Sequence, residues 1–160
     1  MKFEPEIRTL STKTLVGISN TQSLHNNAMR ELWARFMPMC LTIHKGVRPK
    51  ELFSLSHYPS DYFSAFHPAK TFTKWAAMEW TTGEIPEGMK SLQIPEGLYA
   101  VIQYKGSSAN TSVFEFMFRE WLPASGYELD DRPHFEILGE RYKNNDPDSE
   151  EELWFPVRKL

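Results

Sequence analysis

Cysteine is the scarcest chemistry in this chain of 160 residues, with Cys40 alone. One thiol excludes an internal disulfide framework and any site held by several thiolates. Cys40 has no basic or histidine partner in a recognisable signature, so it reads as a buried or incidental thiol. His25, His44, His57, His67 and His134 are too scattered for H-x-x-x-H or H-E-x-x-H spacing, and no zinc site is expected. The glycines are dispersed turn residues that build no phosphate-binding loop. No apolar run reaches the length of a signal peptide or a membrane span, which makes the cytoplasm the expected location. Neither charge dominates: 18 basic and 21 acidic residues leave a net −3. That is a poor footprint for nucleic acid, which rewards clustered Lys and Arg. No cofactor and no metal are implied.

Large flat side chains, by contrast, are plentiful: five Trp, six Tyr and eleven Phe make the aromatic fraction 14%. One compact domain of this length needs fewer for its core, which leaves some for a pocket or a partner surface. The region from Phe116 to Val157 concentrates the signal. An amphipathic aromatic helix there runs to Pro123, and two β-like runs then set Glu136 and Glu152 among Phe135, Leu138, Trp154 and Phe155. An ionised carboxylate in apolar surroundings is costly unless something positive neutralises it. The arrangement suits a cationic ligand.

The chain also repeats itself. Met29, Leu32, Trp33, Phe36, Met37 and Pro38 are matched 85 positions later (29 to 114, 38 to 123) by Phe114, Met117, Phe118, Trp121, Leu122 and Pro123. The apolar positions in each set follow i, i+3, i+4, i+7, i+8, the stripe of an amphipathic helix. Ser23 and Ser108 share the offset and are the expected N-caps, and each proline is the expected stop. Strand-like runs agree: L-F-S-L-S-H-Y (52–58) matches H-F-E-I-L-G-E (134–140), pairing Phe53 with Phe135 and Leu55 with Ile137. A β-like run precedes each helix and another closes each half. The expected fold is therefore α+β: two pseudo-symmetric β-α-β-β repeats, about 5–82 and about 90–160. They form one domain over 1–160, with a mostly antiparallel sheet, two main helices and a central cleft at the pseudo-twofold axis. Strand order is not contained in such a pattern.

W-L-P-A-S-G-Y-E at 121–128, P-H-F-E at 133–136 and E-L-W-F-P-V at 152–157 resemble the GyrI-like small-molecule-binding family, which includes the effector-binding domains of AraC-type and MerR-type multidrug regulators. The likeness is close over the second half and reaches the first through the duplication. It implies the same paired fold, and an aromatic pocket in which the glutamate of P-x-F-E, here Glu136, faces the positive charge of a ligand. Regulators of the family carry a separate DNA-binding domain. The two repeats occupy these 160 residues, so a stand-alone effector-binding module is expected, serving alone or with a separate regulator or other protein partner.

Glu136 is thus the first candidate, weighed against strand alternation that would turn it to water between inward-facing Phe135 and Ile137. Glu152 is a second candidate, although it lies in an acidic run that reads as solvated. Trp75, Tyr99, Trp121 and Trp154 are candidates for the lining, where a cation over a ring gains roughly 0.5–2 kcal/mol. Tyr58 ends its strand within reach of the cleft, and Phe118 lies on the helical stripe of Trp121. Helical stripes of this kind usually serve the core. Three functions fit these residues. The first is a binder of amphipathic aromatic cations. The second is a hydrolase of reactive small molecules that uses a pocket glutamate as general base. The third is a gyrase-inhibitor-like protein-interaction module.

Overall fold

The computed structural model describes residues 3–81 and 83–160. Met1 and Lys2, read above for a leader, and Thr82, where the first repeat is drawn to end, lie outside it. Strands β1 (Glu6–Leu10) and β2 (Lys13–Gln22) lead into helix α1 (Met29–Ile43). They are followed by β3 (Leu52–His57), β4 (Phe72–Glu79), β5 (Lys90–Ile94) and β6 (Gly97–Lys105). A second helical segment comprises α2 (Ser112–Phe116), a π-helical turn (Met117–Trp121) and α3 (Leu122–Ser125). Strands β7 (Tyr127–Leu129), β8 (His134–Leu138) and β9 (Glu150–Lys159) close the chain. Among the described residues no helix is long and apolar enough to cross a membrane.

All strands join one antiparallel sheet in the order β1-β6-β9-β8-β3-β4-β2-β5, with β7 against β9. The order is a palindrome of the two repeats: β2-α1-β3-β4 fills one half, and β6, the second helical segment, β8 and β9 fill the other. The pseudo-twofold axis passes between β3 and β8. There Phe53 opposes Ile137, Leu55 opposes Phe135 and Ser54 opposes Glu136, so each residue faces the repeat mate of its neighbour or its own. The edges are exchanged: β1 precedes β2 in the chain but pairs with β6, and β5 precedes β6 but pairs with β2. Each half thereby covers the open edge of the other, and both exposed rows of backbone hydrogen-bonding groups are shortened.

Three cores follow from the two faces of this curled sheet. One face buries Leu15, Phe53, Leu55, Ala77, Ile94, Tyr99, Val101, Phe135, Ile137 and Trp154. The other face carries the helices. Val16, Ile18, Met78 and Leu138 meet Leu32, Phe36 and Cys40 of α1, while Ala100, Ile102, Leu153 and Phe155 meet Val113 and Met117 of the second helical segment. With both faces covered, β9 reads as an unbroken apolar run over Leu153–Val157, whereas β3 alternates, with Ser54 and Ser56 between apolar residues.

Neither proline stops its helix. α1 continues five residues past Pro38 to Ile43, because Cys40, on the stripe of Leu32 and Phe36, is still buried against the sheet. Tertiary burial outweighs the one hydrogen bond lost to the Ala34 carbonyl. Pro123 follows the wide π-helical turn and sits in the first turn of α3, where an amide hydrogen is dispensable. The helices end instead at His44 and at Gly126, which is left-handed. Nor do Ser23 and Ser108 cap them: the first helical amides are met by Asn27 Oδ1 on Met29 N (2.9 Å) and Asn110 Oδ1 on Ser112 N (3.0 Å).

Gly17 marks the tightest approach in the sheet. A Cβ there would collide with the Ala76 carbonyl oxygen and the Ala77 backbone of β4. Gly17→Ala is expected to destabilise the fold by roughly 1–3 kcal/mol, as over-packing does, read as a lower midpoint in urea unfolding.

Candidate functional site

Alternation along β8 sends Phe135 and Ile137 into the core of one face and His134, Glu136 and Leu138 to the face that carries the helices. Cross-strand register builds the rest of the site on that second face. Ser54 stands opposite Glu136, Ser56 opposite His134, Lys74 opposite Ser56 and Leu153 opposite Glu136. Glu151 shares the face of Leu153, two residues earlier on β9. The outcome is a polar strip of Ser54, Ser56, Lys74, Glu136 and Glu151 on the pseudo-axis, between the two cores that the helices cover.

Ser54 and Ser56 are buried, and Lys74 and Glu151 are each 8% exposed, while Glu136 keeps a partly open surface. Lys74 Nζ donates to Ser56 Oγ at 2.8 Å. Among the described residues no carboxylate is in ion-pair contact with it. Ser54 Oγ and Glu151 Oε2 are buried without a hydrogen-bond partner. Buried polar atoms are rarely left so, and each calls for an explanation.

The electrostatics follow from burial and from two carboxylates sharing one ammonium. Burial, and then the negative charge of Glu136, push the Glu151 carboxyl up to about 8, against the pull of Lys74. Burial also raises Glu136, again opposed by Lys74, and lowers Lys74, opposed by both glutamates. His134 is forced down to about 3 by burial and by the neighbouring Lys74 charge, so its ring is neutral. Tyr58 is pushed up to about 12, chiefly by burial.

Aromatic rings stand over this strip. Tyr58 lies 4.5 Å from Tyr62 and 5.0 Å from each of Phe63, Phe72 and His134, centroid to centroid. Phe63 stacks on His134 at 5.4 Å and reaches Phe118 of the second helical segment at the same distance. Phe118 and His134 both meet Phe155 at 6.0 Å. Tyr58, Tyr62 and Phe63 come from the segment between β3 and β4, which is held by the Lys70–Asp61 ion pair at 3.0 Å. Phe63 and Phe66 in that segment remain 41% and 50% exposed.

Of the residues singled out from the sequence, Glu136, Tyr58 and Phe118 come together here. Trp121 is on the same helical segment but stacks on Tyr127, at 6.2 Å, away from the axis. Trp75, Tyr99, Trp154 and Glu152 are on the opposite face of the sheet. Tyr99 is wholly buried, with its hydroxyl donating to the Pro95 carbonyl at 2.9 Å and the Arg132 guanidinium over its ring at 4.6 Å. Trp154 stacks on Phe135, and its Nε1 donates to Glu152. Trp75 packs against the same core. Sequence reasoning singled out none of Lys74, Glu151, His134, Tyr62, Phe63 and Phe72 as ligand-binding, and named Phe155 only as an apolar neighbour of the glutamates. Parity was an available signal for two of them: Glu151, not Glu152, lies in step with Leu153 and Phe155, and His134 in step with Glu136. Two surface hollows lie elsewhere. One of about 380 Å³ is lined by His44, Pro49, Lys50, Glu51, Met78 and Glu79. Another of about 570 Å³ lies beside Phe3, Glu4, Glu6, Val101, Gln103, Lys105 and Pro147. Tyr58 and Phe63 pack on His134, two residues from Glu136 on the same face.

A palindromic sheet with two helices on one face, and a charged strip on its axis, defines an α+β class of domain with its distinctive chemistry at the seam. Residues 3–158 match the model of the GyrI-like small molecule binding domain, and the chain belongs to that family. It is 26% identical over 147 residues to the transcriptional regulator BrlR of Pseudomonas aeruginosa, aligning 90% of this chain with 52% of the regulator. The chain thus spans about half the length of that relative. Among solved structures it resembles SAV2435 bound to tetraphenylphosphonium, with a TM-score of 0.72 at 16% identity, covering 97% of this chain and 94% of that one. The C-terminal domain of EcmrR superposes with a TM-score of 0.71 at 12% identity over the whole of both chains. Likeness at such identities establishes the shared fold.

The buried charges set a pH profile for stability. Glu151 binds its proton more tightly folded than unfolded, so its contribution is complete below about 4.5 and is lost as pH rises through about 8. His134 does the reverse: its contribution is present above about 6.5 and is lost as pH falls through about 3. Thermal unfolding across pH 3–9 is expected to show Glu151→Gln holding its Tm on the alkaline side and His134→Phe on the acid side, where the parent protein declines. Parallel profiles for parent and variants would show that these groups are not buried as described.

Proposed function

We propose that this chain binds an amphipathic aromatic cation on the pseudo-axis, with Glu136 as counter-charge and Tyr58, Phe63, Phe118, His134 and Phe155 as walls. The observation that carries this reading is the composition of the floor: two carboxylates against one ammonium, beneath a cover of rings. A flat cation gives Glu136, and Glu151 once it has lost its proton, a positive partner, and exchanges water for ring faces at the same time. The exposed Phe63 and Phe66 mark the side by which a guest enters, and the guest takes space now filled by rings of that segment. Glu152, Trp75, Tyr99 and Trp154 face away from this floor, and Trp121 stands off its axis; the proposed site does not extend to them.

Two likenesses support the reading. SAV2435, which shares the fold, is described in complex with tetraphenylphosphonium, a lipophilic aromatic cation. BrlR is a transcriptional regulator, and in keeping with that we propose an effector role here: ligand occupancy is passed to a separate or attached regulatory partner.

Tetraphenylphosphonium carries a permanent charge, so its affinity reports on the protein alone. Tryptophan quenching or calorimetry is expected to show Glu136→Gln weakening tetraphenylphosphonium about tenfold or more, with a neutral aromatic of similar size changed less than about twofold. Equal losses for both ligands would remove the charge argument. Affinity for the same cation is also expected to climb as pH rises through about 8, where Glu151 gives up its proton, and to lose that dependence in Glu151→Gln.

A further inference from the structure

The charges on the floor do not cancel in place. Lys74 is buried on β4, across β3 from Glu136 on β8 and Glu151 on β9; its ammonium reaches neither in an ion pair and spends its one observed hydrogen bond on Ser56 Oγ, at 2.8 Å. An ammonium has three N–H donors, so Nζ retains donating capacity. One place along β3, on the same face, Ser54 is 1% exposed and its hydroxyl has no partner at all. Register sets these groups side by side, with Ser54 beside Ala76 and opposite Glu136, and Ser56 beside Lys74 and opposite His134. His134 is neutral, and Tyr58 reaches its ring from above at 5.0 Å. A site that took only a lipophilic cation would gain nothing from Lys74, whose charge repels such a guest. Aliphatic or small residues at 54 and 74 would serve it better.

Resting on the cation reading above, we propose that the ligand is a zwitterion. Its cationic aromatic part is met by Glu136 and Glu151, and an acidic oxygen group on it is met by the Lys74 ammonium and the Ser54 hydroxyl. The two unpartnered buried atoms of the polar strip, Ser54 Oγ and Glu151 Oε2, then belong to opposite ends of one recognition: Ser54 donates to the ligand's oxygen, and Glu151 accepts from or faces its positive group. Lys74 is the specificity-determining residue. It turns a floor that would accept any flat cation into one that prefers a cation carrying a carboxylate. Charge-assisted bonds of this kind are stronger than neutral ones, and leaving them unmade is costly.

A matched pair of dyes tests this: a rhodamine with a free carboxylate, and its ethyl ester, which keeps the cationic ring system and loses the acid. Fluorescence anisotropy of the parent protein is expected to show the acid bound about tenfold tighter than the ester. Lys74→Met is expected to erase or invert that preference, bringing the ratio of acid to ester affinity to one or below, whatever it does to tetraphenylphosphonium. Ser54→Ala is expected to give a smaller loss for the acid alone, and circular dichroism reports the folding of both variants. Equal affinity of the parent protein for acid and ester would overturn the zwitterion while leaving the cation site standing, and that comparison needs no variant. Equal weakening of all three probes by Lys74→Met would overturn it too. Absence of binding by any probe to the parent protein would overturn both readings together.

Discussion

The pairing of β3 with β8 is the constraint from which the rest of the molecule descends. It joins the two repeats at the middle of the sheet, and its register places Ser54 against Glu136 on the pseudo-axis. Since successive side chains alternate faces, the same register commits Phe53, Leu55, Phe135 and Ile137 to one core. The intervening residues, Ser54, Ser56, His134 and Glu136, go to the other face together. A slip of one residue would bury the polar set among Leu15, Tyr99 and Trp154, and would turn the aromatic set toward the helices. The core on one face and the charges on the other are therefore consequences of a single alignment.

Symmetry explains why the charges are tolerable there. Each helix lies over its own half, on cores that end at Leu138 on one side and at Leu153 and Phe155 on the other. The strip between them is covered by neither helix. It is roofed by the segment leaving β3, whose Tyr58, Tyr62 and Phe63 reach across to Phe118 and Phe155 of the other half. The duplication is broken at this point. The first repeat sends a long aromatic crossing from β3 to β4, while the second sends the polar stretch 139–149 from β8 to β9. Ser54 and Glu136, equivalent by position, thus differ in chemistry, and the seam has one charged side and one neutral side.

The duplication was readable without coordinates because it rests on local periodicity: the helical stripe at Leu32, Trp33 and Phe36 returns at Met117, Phe118 and Trp121, and the run of β3 returns in β8, whatever the tertiary fold does. The fates of Pro38 and Pro123 were not readable in the same way. Local chemistry says that a proline stops a helix, whereas burial of Cys40 and a widened turn before Pro123 carried both helices onward. At the site, Glu136 stood out through its motif and its apolar neighbours. Glu151 was hidden by the adjacent Glu152, since the face of a glutamate in an acidic run depends on where the strand begins. Lys74 sat unremarked in a run of apolar residues, one step from Trp75.

Composition, spacing and repetition determined by themselves that this chain would fold as two β-α-β-β units around an antiparallel sheet, and they singled out Glu136 among apolar neighbours without fixing which way it faces. Those properties depend on neighbours within a few positions. Tertiary structure decided which charges share a face, that β1 and β5 trade halves, and that the roof is built from Tyr58, Tyr62 and Phe63 rather than from Trp75, Tyr99 and Trp154. The reason is that strand order and register bring together residues as far apart as Ser54, Lys74, Glu136 and Glu151. No local pattern encodes the distance between them.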